Sequence, residues 1–438
     1  MNRMFDKIQS VFRLGVFHVL GATAINKIVS FVTNIFLVRI LSKSDYGVFS
    51  SSFNVFLIAI LFNGLGIGSS ILYYASEKEK EEERRTVYSF AVKYGMVVNL
   101  LICVGIAIYG LFFNVGIEET RQYILGLAFL PVFYFLFDYF AHVLRTRKEN
   151  KKFSLLLNIN TFSYCVLAVI GSWRWGIWGT IIGRYLSYVI SLIVGYAYAK
   201  EYISLSVKHK VEKAKRKQIV SYAIHSGVVA ALNQILYRID ITIITMLIAD
   251  SVILANYKVG AVVPENMVFI PSSISIVIVP LFVEHNQDYR WVYNKAKTLF
   301  KTMAVVCGCV SLSMFIFAKP IVCILWGKQY LDSVPFFRVL SLSFFFLGTF
   351  RSTSTNILQA IGKVRYNLYV STIAGVSNVA LDIVMIMQFG VIGAAYATLL
   401  VTILASCLSF PYLIAQLKKQ KKRMMTCNDS LAMEENNT

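Results

Sequence analysis

Charge is what this sequence most lacks. Asp, Glu, Lys and Arg together make up 15% of the chain, against ~25% in an average soluble protein. That shortage excludes a water-facing surface over most of its length. Cysteine chemistry is missing as well. Cys103, Cys165, Cys307, Cys309, Cys323 and Cys407 stand in apolar stretches and Cys427 in the tail; none makes a metal-ligand spacing with histidine, so they read as small packed residues. No phosphate-binding glycine loop with lysine and serine or threonine is present, which argues against direct ATP use. No small-residue cleavage site closes the first apolar block, so Arg3, Lys7 and Arg13 precede a span that stays. No internal loop holds more than ~20 residues between the spans read below, which leaves no room for a globular catalytic domain.

What the chain does have is hydrophobic residues, 57% of it, in blocks of the ~20 residues that a membrane crossing needs. Met96 to Phe113 and Tyr123 to Phe137, separated by Glu118, Glu119 and Arg121, read as helix, short loop, helix. The pattern predicts an all-α polytopic membrane protein of about twelve spans, at roughly 15–40, 47–74, 87–113, 121–143, 153–173, 176–199, 219–249, 252–283, 299–318, 334–361, 366–388 and 391–416. The expected domains are a first lobe over 1–200, a linker over 201–218, a second lobe over 219–417 and a basic, then polar, tail over 418–438.

Lysine and arginine set the expected orientation. With both termini cytoplasmic, one side collects Arg3, Lys7 and Arg13, then Lys78, Lys80, Arg84 and Arg85, then Arg145, Arg147, Lys148, Lys151 and Lys152, the linker cluster Lys208 to Lys217, Arg290 to Lys301, Lys363 and Arg365, and Lys418 to Arg423. The other side holds only Arg39, Lys43, Arg121, Arg174, Lys319 and Lys328. The net charge of +20 is therefore topological. It gives no sign of nucleic acid, and it predicts basic loops facing anionic lipid on the cytoplasmic side.

The halves repeat. Leu144 to Lys148 closes span four as Leu358 to Gly362 closes span ten, a step of 214. Gly176 and Gly179 recur as Gly390 and Gly393 at the same step. Six spans per half keep one orientation, so the lobes are expected around a pseudo-two-fold along the membrane normal with a cavity between them, the plan of alternating-access transporters.

Ionisable side chains inside spans cost ~2.5–3.5 kcal/mol on the lenient scale and need a cavity or a partner. Asn26, Lys27 and Asn34 share one region of span one. Ser226, Asn233, Tyr237 and Asp240 form a stripe on span seven, with Arg238 beside it. Ser371, Gly375, Asn378 and Asp382 form another on span eleven. Arg351 to Asn356 is a polar belt in an aromatic helix. Lys27, Asn26, Asn34, Arg184, Arg238, Lys258, Arg351 and Asn356 are the candidate substrate-binding residues. Glu265, Asp240 and Asp382 are the candidate ion-coupling residues. Several have quieter readings: Lys93 and Lys258 as snorkelling cations, Arg238 with Asp240 as a structural pair, Asp382 as a helix-to-helix bond, and Glu265 as a partner for the carbonyl that Pro264 frees. Asp138 and His142, one turn apart in span four, read as a bond between helices or a proton relay. The slight cationic surplus and many neutral polar groups suit phosphate with sugar hydroxyls. A hydrophobic drug would want a drier cavity and a metal ion more carboxylates.

Several stretches resemble a known family. These are Arg39 to Gly47, Tyr237-Arg238-Ile239-Asp240, Leu325-Trp326-Gly327-Lys328-Gln329-Tyr330, Leu358 to Lys363 and Phe389 to Ala395. In order and spacing they resemble the polysaccharide-repeat (O-antigen and capsule type) flippases of the multidrug/oligosaccharidyl-lipid/polysaccharide (MOP) superfamily. The resemblance implies a V-shaped, two-lobed transporter of the bacterial cytoplasmic (inner) membrane. It implies movement of an undecaprenyl-pyrophosphate-linked oligosaccharide to the outer leaflet through a cationic cavity, coupled to an H+ or Na+ gradient or to the membrane potential. A polysaccharide polymerase and glycosyltransferases would be partners, and no cofactor or catalytic residue is expected. Span one lacks the acidic pair expected of a drug exporter, and twelve spans rather than fourteen weigh against the peptidoglycan-precursor branch. A drug or cation antiporter of the same superfamily is the alternative. A membrane-embedded polymerase or ligase is another, but it would need a sizeable outer loop.

Overall fold

The computed structural model describes residues 16–76, 80–203, 212–235, 238–285 and 288–435. Among the described residues every regular element is helical, and ten helices are long and apolar enough to cross a membrane. In chain order the helices are α1 (Gly21–Ile40), α2 (Lys43–Ala75), α3 (Glu81–Phe112), α4 (Thr120–Thr146) and α5 (Asn150–Ala199). Next come α6 (Lys213–Ile235) and the short α7 (Ile239–Ile248). α8 (Ser251–Glu284), α9 (Arg290–Ile316), α10 (Lys328–Ala360), α11 (Arg365–Phe389) and α12 (Ile392–Lys419) follow. Large apolar side chains such as Leu101, Trp173, Ile193, Ile316 and Met387 are exposed on these helices, a surface for lipid rather than water.

Two local features separate these ten from the twelve spans expected. Expected spans five and six are one 50-residue helix, α5, broken at Trp175 and at Gly176, whose φ of 55° suits glycine. Its arms fold back on each other through small residues. A Cβ on Gly179 would lie 1.8 Å from the Gly171 oxygen, and one on Gly183 would lie 2.8 Å from the Ala168 nitrogen. Only glycine lets the two backbones come that close. Over expected span seven the described residues form α6 and α7, on either side of residues 236–237, which lie outside the described set. Tyr237 and the Asn233 side chain lie outside the described residues, as do Arg3, Lys7, Arg13, Lys78, Lys208, Lys210 and the side chains of Lys421, Lys422 and Arg423.

The helices form two compact units, Met1–Ala255 and Asn256–Thr438. In the first, α1 and α4 pack on α5, α3 packs on α4, and α6 and α7 pack along α2. In the second, α11 packs on α12, with the Tyr366 and Tyr412 rings stacked at 3.5 Å over a core of Val370, Ala374, Val401 and Ala405.

The sequence repeat recurs atom by atom within each unit. Glu149 N–H donates to Leu144 O (3.0 Å) and Lys148 N–H to Arg145 O (3.0 Å). Lys363 N–H donates to Leu358 O (2.7 Å) and Gly362 N–H to Gln359 O (3.1 Å). Both are helix ends of the Schellman type, with Lys148 (φ 59°) standing where the second copy has Gly362 (φ 76°). Gly176 (φ 55°) and Gly390 (φ 67°) also match. So do the backbones that Gly179 and Gly393 touch, at Gly171 and Met385.

α2 is not a continuous helix. Within Ile60–Gly66 the backbone leaves helical geometry at Asn63 (ψ 116°), Gly64 (φ 52°) and Leu65 (φ 43°), and Gly66 follows at φ 79°. The run Asn63-Gly64-Leu65-Gly66-Ile67-Gly68 lowers the cost of these positive φ values. Irregular backbone inside a span is tolerated only where protein or water covers it. Here α6 covers it: a Cβ on Gly66 would lie 2.3 Å from Ala223 O, and one on Gly227 would lie 2.7 Å from the Leu65 carbonyl carbon.

Candidate functional site

Arg184 is the best-defined candidate. It lies on the second arm of α5, opposite Asn160 and Tyr164 on the first. Its guanidinium stands 4.5 Å from the Tyr164 ring centre and 4.3 Å from that of Tyr188. It donates to the Tyr188 hydroxyl (2.5 Å) and, more weakly, to Asn160 Oδ1 (3.4 Å). Asn160 is fixed in turn by donating to Ser191 Oγ (2.9 Å). Nε of Arg184 is buried and has no hydrogen-bond acceptor. Among the described residues the groups holding this cation are neutral: the Tyr188 hydroxyl, the Asn160 amide and the faces of Tyr164 and Tyr188. Such a nest orients the charge without cancelling it.

The nest continues onto α4. Tyr134 packs edge-on against Tyr188 at 6.1 Å, and one turn further on is Asp138. Asp138 Oδ2 accepts from Asn63 Nδ2 (2.9 Å) and lies 3.3 Å from His142 Nε2. Asn34 on α1 donates to the Tyr46 hydroxyl (2.9 Å), and its Oδ1 is buried without a donor, as is that of Asn26. Lys27, on the same helix, is exposed.

The other candidates lie elsewhere. Arg238 is the residue before α7 and Asp240 is in its first turn, where a carboxylate complements the helix dipole. The Arg238 carbonyl accepts from Asn54 Nδ2 (3.2 Å), which also donates to Thr242 Oγ1 (3.0 Å). In the second unit, Lys258 donates to Glu265 Oε2 (3.3 Å) across two helical turns of α8. A predicted cation and a predicted coupling carboxylate thus meet each other. Asn356 Nδ2 donates to Ser275 Oγ (2.7 Å), joining α10 to α8. Arg351 sits in a π-helical turn, Leu347–Ser352, half-buried. Asp382 is fully buried and accepts from Asn378 Nδ2 (2.9 Å), one turn earlier on the same helix α11.

Sequence reasoning missed the neighbours of Arg184. Asn160 and Tyr164, and Arg184 and Tyr188, are each one turn apart, so a polar-aromatic pair at that spacing on consecutive spans was the available signal. It also missed the break in α2, which three glycines at alternate positions mark. At the Lys/Arg-rich end, Ser76, Arg84, Arg145, Thr146, Arg147, Lys148 and Tyr202 line a cavity of about 480 Å³. Arg147 there pairs with Glu81 and stacks 4.8 Å over the Tyr202 ring.

Long apolar helices and a repeated turn define a polytopic membrane protein. The chain belongs to the polysaccharide biosynthesis protein family, whose model matches residues 12–286. Its fold is shared with solved transporters. An inward-closed lipid II flippase MurJ aligns with TM-score 0.72 and 16% identity over 92% of this chain and 87% of that one. An inward-facing multidrug resistance MATE transporter of the MOP superfamily aligns with TM-score 0.74 and 13% identity over 91% and 96%. At these identities the likeness is one of fold. An uncharacterized membrane protein of Methanocaldococcus jannaschii is 23% identical over 83% of this chain and 77% of its own length.

Proposed function

We propose that this protein is a flippase. It carries undecaprenyl-pyrophosphate-linked oligosaccharide repeat units from the cytoplasmic to the outer leaflet by alternating access, for surface polysaccharide synthesis. Both termini lie in the cytoplasm, and an H+ or Na+ gradient or the membrane potential drives the cycle. The observation that carries this reading is the guanidinium of Arg184, held inside the span by the Tyr188 hydroxyl, the Asn160 amide and two aromatic faces. A planar fork with its charge intact matches a pyrophosphate oxygen pair, while Asn160, Asn34 and the tyrosines suit sugar hydroxyls. Membership of a polysaccharide biosynthesis family supports the substrate class. The basic cavity at Arg84, Arg145 and Lys148 suits anionic lipid head groups on the cytoplasmic side. No bond is made or broken, so transport of this kind needs no catalytic residue.

The test is reconstitution in liposomes with a fluorescent lipid-pyrophosphate oligosaccharide and a membrane-impermeant quencher. Flipping that depends on the protein supports the reading. Absence of flipping with several glycans and an imposed gradient, together with drug or cation exchange by the same liposomes, would replace it with antiport.

A further inference from the structure

Asp138 and His142 lie on one face of α4 and hold α2 at its break and just after it. At the first residue of the break, Asn63 Nδ2 donates to Asp138 Oδ2 (2.9 Å). After it, the His142 ring rests on Gly68: a Cβ there would lie 2.3 Å from His142 Nε2. The backbone of Asn63, Gly64 and Leu65 is unwound. The polar atoms at this clasp are not all used. His142 Nδ1 and Asn63 Oδ1 are both buried without a hydrogen-bond partner. Buried polar atoms without a partner are uncommon in folded proteins, and each calls for an explanation. Asp138, in contrast, keeps 30% of its side chain accessible.

We propose that the Asp138–His142 pair is a proton-binding site whose occupancy controls how tightly the unwound segment of α2 is held. The inference rests on the flippase reading for its purpose, which is coupling, but not for its test. In the empty state Asp138 is a carboxylate and His142 is neutral, its Nε2–H directed at Asp138 and its Nδ1 carrying a lone pair. One proton from the aqueous phase goes to Nδ1. The pair then passes from one negative charge to none, and no other bond changes. The imidazolium claims the carboxylate, the Asn63 bond to it weakens, and residues 63–66 are freed to move against α6. Release of the proton restores the clasp.

The other titratable or charged groups around the pair are few. Tyr134 is one turn away on α4. α5 brings Tyr188 and Arg184, and both Arg184 and Asp138 act electrostatically on Tyr134 and Tyr188. α3 packs on this face through Gly95 against Phe135, with its Lys93 exposed. α6 packs on the unwound segment and carries His225, which is exposed and bonds Ser221 O.

Hydrogen–deuterium exchange of the full-length protein in detergent, without substrate, tests this. Protection at residues 60–68, corrected for intrinsic rates, is followed from pH 8 to pH 5. The wild type should lose about tenfold protection as the pH falls, as expected for weakening one charge-assisted hydrogen bond. Asn63→Ala should show low protection at every pH, and His142→Gln should keep protection flat across the range. Peptides from α11 and α12 should not change, which separates the effect from global unfolding. Protection at 60–68 that does not vary with pH in the wild type would overturn the proposal. So would a response to Na+ replaced by choline at constant pH with none to pH, because the site would then take a metal cation.

Discussion

Gly66 and Gly227 bring the unwound part of α2 onto the backbone of α6. A Cβ on Gly66 would lie 2.6 Å from the Gly227 Cα, and Gly66 itself has φ 79°. α6 lies with α2 in the compact unit Met1–Ala255. Gly227→Ala should lower the thermal midpoint in detergent, at a cost of about 1–3 kcal/mol for an overpacked site. Gly21→Ala and Gly105→Ala are the controls: nothing lies within 4 Å of a Cβ at either, so both should leave the midpoint unchanged or raise it. Equal losses at all three positions would mean the α2–α6 contact is not a tight one.

Lys148 occupies the left-handed position of a helix end whose repeat copy uses Gly362. Lysine there carries a Cβ penalty that glycine escapes. Lys148→Gly should therefore stabilise the protein by about 1 kcal/mol, and Gly362→Lys should destabilise it by a similar amount. Calorimetric or fluorescence melting of the purified variants measures both.

Lys258 and Glu265 form an ion pair at 3.3 Å, with Glu265 the more exposed partner at 59%. A double-mutant cycle with Lys258→Met and Glu265→Gln should give a coupling of about 0.2–1 kcal/mol. The cycle also separates two roles. If the pair is only structural, transport should fall in proportion to stability. If Glu265 also carries ions, Glu265→Gln should change the gradient dependence of transport at unchanged stability.

Glu149, in the turn between α4 and α5, accepts from the Tyr202 hydroxyl (2.8 Å) and pairs with Lys152 (3.2 Å). The Tyr202 bond holds its carboxyl below the usual carboxylate range; burial opposes this, and Lys152 adds to it. A carboxyl lowered on folding stabilises the folded state above its ordinary value of ~4.3, and that stabilisation fades as the pH falls through the folded value. Tyr202→Phe should raise the Glu149 midpoint toward ~4.3 by carbon NMR. It should cost stability at pH 7 and almost none at pH 3.

Much of this architecture was legible in the sequence. Block length gave the helices, and the 214-residue step from Gly176 to Gly390 reappears as matching backbone angles and hydrogen bonds. What escaped was local geometry that apolar content does not encode. Asn63 to Gly68 lies in an apolar stretch, so composition reads it as a span while its glycines permit a break. Arg184 was legible as an intramembrane cation. Its partners were not, because Asn160 and Ser191 meet only once α5 folds back at Gly176. Lys258 and Glu265 were each singled out alone; their spacing of two turns already allowed them to pair.

The central claim is that Arg184 receives the pyrophosphate of a lipid-linked glycan during flipping. The direct measurement is the initial flipping rate of one labelled lipid-pyrophosphate oligosaccharide in liposomes carrying equal amounts of wild type, Arg184→Lys or Arg184→Ala. The account predicts protein-dependent flipping in the wild type and a loss of about tenfold or more in Arg184→Ala, the size expected for one charge-assisted bidentate contact. Arg184→Lys should be intermediate, since it keeps the charge but not the planar fork. Wild-type rates in folded Arg184→Ala protein would contradict it.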